Sequence, residues 1–237
     1  FRVIDDQWNV RNIFKYRMIF PILLHYFPRF RKRIDSTFST IVDVRATILE
    51  ALGKNIDENI SPHGKSLIPI LKDEVKTIRD HILYGSFGDG VNLTTWDATY
   101  IRGFNPKKPI CVYSSTFPML MSPSIISGFT DLEYDKLEEM LGGVMNEIES
   151  GRYIRGVNIP QWRIPLPSDY LAGKGSAREL KQCYLFDRIK DPNFQNNLTG
   201  TPEGEELEKK MMKKMKEVME EEGCPPEQLV RLMLDSE

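Results

Sequence analysis

The chain has 237 residues, 41% of them hydrophobic and 28% charged, with a formal net charge of −2. That is enough for one large or two small cores, in a composition typical of ordinary soluble globular proteins. The slightly acidic balance excludes a dedicated nucleic-acid surface, which needs a basic excess, and no run approaches the roughly 18 apolar residues of a membrane span.

Taken in order, Phe1 to Ile4 reads as a strand with Asp5 and Asp6 at its carboxyl end. Met18 to Tyr26 is a near-continuous apolar run, the pattern of a strand covered on both faces, with Pro21 placing it at an edge or at its own start. The basic cluster Arg29 to Arg33 reads as a solvated loop in preference to a phosphate patch. Ser39 or Thr40 caps a helix over Ile41 to Leu52 that ends at Gly53, with Ile41, Val44, Ile48 and Leu52 as its expected core face. His63 to Ser66 contains Gly-Lys-Ser but lacks the first glycine and the strand of a phosphate-binding loop. A short apolar element over Ser66 to Leu71 is interrupted by Pro69.

From Arg79 the pattern changes. His81 to Gly88, Val91 to Thr94, Ala98 to Gly103 and Pro109 to Ser115 are short, β-branched and aromatic, which predicts an antiparallel meander. Phe117 to Phe129 reads as a loop, Asp131 to Glu149 as a helix weakened by Gly142 and Gly143, and Gln161 to Ile164 and Gln182 to Phe186 as strands. The last long helix is predicted to start from Thr201 and Pro202 and to stop at Gly223 and Pro225. Leu207, Met211, Met215 and Val218 form its buried stripe, and a second short helix follows. Cys111, Cys183 and Cys224 match no zinc or redox spacing and are expected to be reduced and partly buried.

Four stretches together resemble the sulfatase family: Pro21 to Gly53, His63 to Glu74, Arg79 to Gly103, and above all Leu185 to Glu203 (LFDRIKDPNFQNNLTGTPE) leading into the last helix. Their order and spacing run through the chain. Departures include Ala46 where the family usually has proline, and Asp97-Ala98 in place of a glycine-plus-basic turn. The family's Cys/Ser-x-Pro-x-Arg nucleophile motif is absent from the sequence.

The resemblance implies an α/β to α+β fold. Residues 1–53 would be the carboxyl end of a mixed-sheet catalytic domain, and residues 54–237 a smaller antiparallel-sheet subdomain with a C-terminal helix. It implies calcium or magnesium in the intact enzyme. Asp5 and Asp6 are the candidate metal ligands here, since carboxylates at a strand's carboxyl end suit a hard cation. The stretches Asp89 to Trp96 and Tyr113 to Met121 are candidates for the substrate mouth, represented by Asp89, Asn92, Trp96, Tyr113, Ser114 and Ser115, because binding loops follow strands.

Of the three histidines, His25 reads as a core residue on an apolar strand; His63 and His81 have no nucleophile or paired carboxylates placed beside them by the sequence. The leading expectation is the C-terminal part of a sulfuric or phosphoric ester hydrolase, inactive alone, whose partner is a missing N-terminal catalytic half or a second copy. A non-catalytic binding module and a divergent metal-dependent phosphoesterase are the alternatives. Asn59, Asn92 and Asn197 begin Asn-x-Ser/Thr triplets that matter only in a eukaryotic secretory setting. The sequence opens on a strand-like FRVIDD with no leader pattern, so upstream sequence is expected, and a soluble cytoplasmic setting is the working expectation.

Overall fold

The structure, a computed structural model, describes residues 37–54, 63–85, 88–115, 147–153, 159–166 and 182–235. The expectations for Phe1 to Arg33, including Asp5, Asp6 and His25, for the 117–129 loop and for most of the 131–149 helix lie outside those residues. Among the described residues no helix is long and apolar enough to cross a membrane.

Two antiparallel sheets carry the fold. β1 (His81–Gly85), β2 (Val91–Thr95), β3 (Ala98–Arg102) and β7 (Tyr184–Asp187) form a sheet in the order β1-β2-β3-β7. β4 (Ile110–Ser114), β5 (Glu149–Gly151) and β6 (Gln161–Leu166) form a second sheet in the order β4-β6-β5. The first three strands are the expected meander, but the fourth leaves it: β4 pairs with β6, and β3 takes β7 from far along the chain. Glu149, expected to close a helix, begins β5. Pro165 is tolerated in β6 because β5 reaches only Gln161 to Arg163, leaving Pro165 paired on one side, with Cys111.

The first sheet is built on one cross-strand row. Leu83 faces Leu93, Leu93 faces Tyr100, and Tyr100 faces Leu185, so a single band of large side chains crosses all four strands. α3 (Glu205–Glu221) lies on that band. Met211, Met215 and Met219 join Leu93, Tyr100 and Leu185 in one core cluster, with Leu229 and Leu232 from beyond the helix. Full burial of each such side chain stabilises by about 1.5–3 kcal/mol. Leu207, expected in the stripe, packs at its margin, and Met219 takes the deeper position.

The segment between β7 and α3 explains its own sequence. Asp187 Oδ1 accepts from the backbone N–H groups of Ile189 and Lys190 at 2.9 Å each. Asp191 accepts from Asn196 N at 2.7 Å. Asn197 Oδ1 accepts from Leu185 N at 2.9 Å and Thr199 N at 3.1 Å, while Leu198 N donates back to Leu185 O. Each short polar side chain thus takes up main-chain donors in its own turn. The helix begins three residues later than the Thr201-Pro202 signal suggests. Thr201 to Gly204 is a separate turn, and Gly204 is pressed so closely on Leu198 that a Cβ there would sit 2.1 Å from the Leu198 carbonyl oxygen.

α1 (Ile41–Ala51) has the expected Thr40 cap, closed reciprocally by Asp43, and Gly53 takes the left-handed conformation with φ +66. Its inward face is not the apolar one. Asp43, Ala46 and Thr47 are buried, whereas Ile41, Ile48 and Leu52 are 69%, 52% and 69% exposed. The reason is Asp43, which accepts from Thr40 N at 2.7 Å, from Lys65 N at 2.8 Å and from Arg79 Nε at 3.2 Å and Nη2. Thr47 Oγ1 accepts from Leu67 N at 2.9 Å, fastening α2 (Ile68–Leu71) beside it. Burial pushes the Asp43 carboxyl up, but its hydrogen bonds from Arg79, Lys65 and Thr40 outweigh that and hold it below the usual carboxylate range.

Breaking this buried pair leaves Arg79 without its counter-charge. Asp43→Ala is expected to lower the unfolding free energy by about 3–5 kcal/mol, read from urea denaturation. Because the folded-state carboxyl titrates low, its contribution is complete above the ordinary carboxylate pKa of 3.8 and disappears as pH falls through the lower folded value. The wild-type advantage over the variant should therefore shrink only below about pH 4.

Candidate functional site

The three-stranded sheet presents a charged row set by its register. Tyr113 of β4 faces Arg163 of β6, which faces Glu149 of β5. α4 (Pro226–Arg231) brings Glu227 over that row from its first turn. Arg163 Nε donates to Glu227 Oε1 at 2.8 Å, the Tyr113 hydroxyl donates to the same oxygen, and Arg163 Nη1 lies 3.6 Å from Glu149 Oε2. Glu149, Arg163 and Glu227 border an open cleft of about 550 Å³ that is also lined by Arg152, Tyr153 and the Gly223-Cys224 turn after α3.

The wall is supported from below. Gln161 is 1% exposed, accepts from Tyr153 N at 2.8 Å and donates to Ile159 O. Gly151 lets the Tyr153 ring lie against β5, since a Cβ there would meet Tyr153 Cζ at 2.8 Å. The Tyr113 and Tyr153 rings sit 5.2 Å apart, tilted by 44°.

The electrostatics of the row oppose proton transfer near neutrality. Burial and the Glu227 carboxylate push the Tyr113 phenol far up. Burial raises Glu227, but hydrogen bonds from Tyr113 and Arg163 outweigh it and keep the carboxyl below its usual range. Burial pushes the Cys111 and Cys224 thiols up to about 11, so neither is a thiolate nucleophile at pH 7. All three cysteines are free and half-buried.

The residues expected at a substrate mouth do not converge. Asp89 and Trp96 lie at opposite ends of β2, roughly 20 Å apart along the strand, since Val91 to Thr95 is the extended strand between them. Asn92 is inside β2, opposite Tyr84 and Ile101. Trp96 is exposed and stacked 4.2 Å from Phe38, whose ring also carries the Arg188 guanidinium at 5.4 Å. Tyr113 and Ser114 belong to β4, and Ser115 follows it. Of this set only Tyr113 reaches the charged row. His63 pairs with Glu222 and His81 Nδ1 lies 2.5 Å from Asp80 Oδ1, each with one carboxylate.

Among the described residues no group of three or more His, Cys, Asp or Glu side chains is placed to hold a metal ion. The most enclosed carboxylate, Asp43, is already filled by Arg79. Among the described residues the donor set therefore does not fit the calcium or magnesium that the resemblance implies, and Asp5 and Asp6 lie outside those residues. Glu149, Arg163 and Glu227 were not legible as a group. The alternation of Gln161 and Arg163 within one strand was the available signal, and the pairing partners that give it meaning come from distant segments.

Asp89 is a separate buried feature, 5% exposed, with Oδ1 lacking a hydrogen-bond partner. Burial raises its pKa against the pull of Arg231. A raised folded-state carboxyl stabilises the fold below its unfolded pKa, and that contribution is lost as pH rises through the folded value. Asp89→Asn is accordingly expected to be as stable as the wild type or more so at pH 7, with the difference closing toward pH 4. Urea midpoints at the two pH values test this, and a clear loss at pH 7 would contradict it.

No family model matches the chain, and no curated protein matches it. Among solved structures there is a weak, partial resemblance to a sulfatase-superfamily chain, described under metabolism of multiple glycosaminoglycans by Bacteroides thetaiotaomicron through a versatile core genetic locus. The TM-score is 0.37 at 13% identity, covering 74% of this chain and 24% of that one. The chain thus spans about a quarter of the length of that structure, and a likeness this slight carries nothing about activity.

Proposed function

We propose that this chain is the C-terminal portion of a sulfatase-like hydrolase of sulfuric or phosphoric esters, competent only when completed by a part that carries the nucleophile and metal ligands. The observation that supports this reading is Asp43. It comes from the first of the stretches on which the resemblance rests, Lys65 from the second and Arg79 from the third, and all three meet at one buried carboxylate. Separated motifs that close on a single interaction behave as parts of one inherited unit. In this reading residues 1–53 end the catalytic domain, residues 54–237 form the buttressing subdomain, and the substrate mouth lies at the Tyr113 to Ser115 segment, with Asp89, Asn92 and Trp96 spaced along β2 instead of gathered there. Calcium or magnesium is held by the completing part, with Asp5 and Asp6 as this chain's candidate ligands.

The exposed apolar side of α1 favours the same reading. Ile41, Val42, Ile48 and Leu52 turn outward from the described core, a patch that drives association. The isolated chain is expected to self-associate, and replacing Ile48 and Leu52 together by Glu should shift it toward monomer by light scattering. A monodisperse wild-type monomer would count against an uncovered interface.

A second reading, a stand-alone binding module, is favoured by the mutual neutralisation of the charged row. Native mass and divalent-metal content of the protein isolated from its source separate the two. A larger mass with stoichiometric calcium or magnesium, and turnover of an aryl sulfate or aryl phosphate, supports the hydrolase. A mass near 27.5 kDa with neither metal nor turnover supports the module.

A further inference from the structure

We propose that the cleft beside the Tyr113–Arg163–Glu149 row binds a neutral polyhydroxylated ring, that is, an uncharged saccharide unit, whether or not the chain belongs to a hydrolase. The argument starts from charge balance. Arg152, Arg163, Glu149 and Glu227 all line one cleft, so its net charge is zero. An anion would find Arg163 already committed to both carboxylates and, if drawn to Arg152, would meet Glu149 and Glu227 in the same lining; a cation would meet the guanidinium held between them. What remains on offer is an array of neighbouring strong acceptors and donors, and hydroxyl groups, which both donate and accept, satisfy such an array without bringing charge.

The second element is the aromatic wall. Tyr153 lines the cleft, and an aromatic ring beside polar groups suits a ligand with an apolar C–H face and a hydroxylated rim. The third is support from buried residues. Gln161, almost without solvent contact, fixes the backbone at Tyr153, and Gly151 supplies the space the ring occupies. Tyr113 and Arg163 both hold Glu227 by hydrogen bonds to one carboxylate oxygen. Solvent-facing groups locked in place by buried partners lose little freedom on binding, which is what a small ligand with few contacts requires. Tyr113 is pushed up and Glu227 is held low, both away from neutrality, so this pair does not exchange a proton near pH 7.

The test is titration of the full chain with cellobiose, lactose and maltose by calorimetry and ligand-observed NMR, alongside a sulfated disaccharide. Saturable binding of at least one neutral sugar is expected, with Kd of the order of 1 mM and little change between low and high salt. Tyr153→Ala and Glu149→Gln should each weaken it about tenfold or more, the worth of one lost contact, with an unchanged thermal midpoint. Glu149 is at an exposed edge, so its variant keeps the test valid if Tyr153→Ala disturbs folding. The proposal is overturned by absence of saturable binding to all three sugars, by binding that both variants leave intact, or by salt-sensitive binding of the sulfated sugar alone.

Discussion

The fold depends on a guanidinium seated at the end of the last helix. Arg102, on the central strand β3, donates from Nε to Leu232 O at 2.7 Å and from Nη2 to Met233 O at 2.8 Å. Those carbonyls lie at the C-terminal end of α4, where main-chain acceptors have no helical partner and the helix dipole is negative. The same guanidinium donates to the Tyr100 hydroxyl at 3.0 Å, inside the row that crosses the sheet. One buried charge thus satisfies the helix terminus and locks it to the middle of the core. Arg231 repeats the device in the opposite direction, reaching from α4 to the carbonyls of Gly88 and Asp89 and lying 4.1 Å over the Phe104 ring. Hydrogen bonds to ionised groups contribute about 1.5–3 kcal/mol each, more than the exposed Lys–Glu pairs along α3, which are worth tenths.

Local chemistry was legible in the sequence; long-range pairing was not. The meander strands, the Thr40 cap and the long helix were readable because each depends on residues within a few positions. The polar turn after β7 was readable for the same reason, as Asp187 and Asp191 bond within five positions and Asn197 bonds both to Thr199 and back to Leu185 at the strand that leads into the turn. By contrast, the transfer of β4 to a second sheet and the pairing of β3 with β7 are set by contacts across 48 to 56 and 83 to 89 residues of chain, which no local period records. α1 shows a subtler failure. Its helical period was correct, but burial followed a carboxylate with three partners instead of the apolar stripe, because a satisfied charge can occupy an interior that a hydrophobic count reserves for Ile and Leu.

The candidate cleft was half visible. Tyr113 was singled out as an aromatic near a strand end, yet what gives it a role is Glu227, 114 positions away. Arg163 and Glu149 acquire meaning only through the register of β6 with its neighbours. The mouth candidates Asp89 and Trp96 share one short stretch of sequence, and the extended β2 between them holds them apart.

The methionines of α3 give the protein an uneven chemical surface. Met211, Met215 and Met219 are sealed under the sheet while Met233 stands 42% exposed beside the last helix. A thioether becomes a polar sulfoxide on oxidation, and that change is incompatible with a packed core. Met233 is therefore open to peroxide in the native state, while the three core thioethers react only when α3 lifts from the sheet. Oxidation at these positions would act as a chemical record of how often the core has opened.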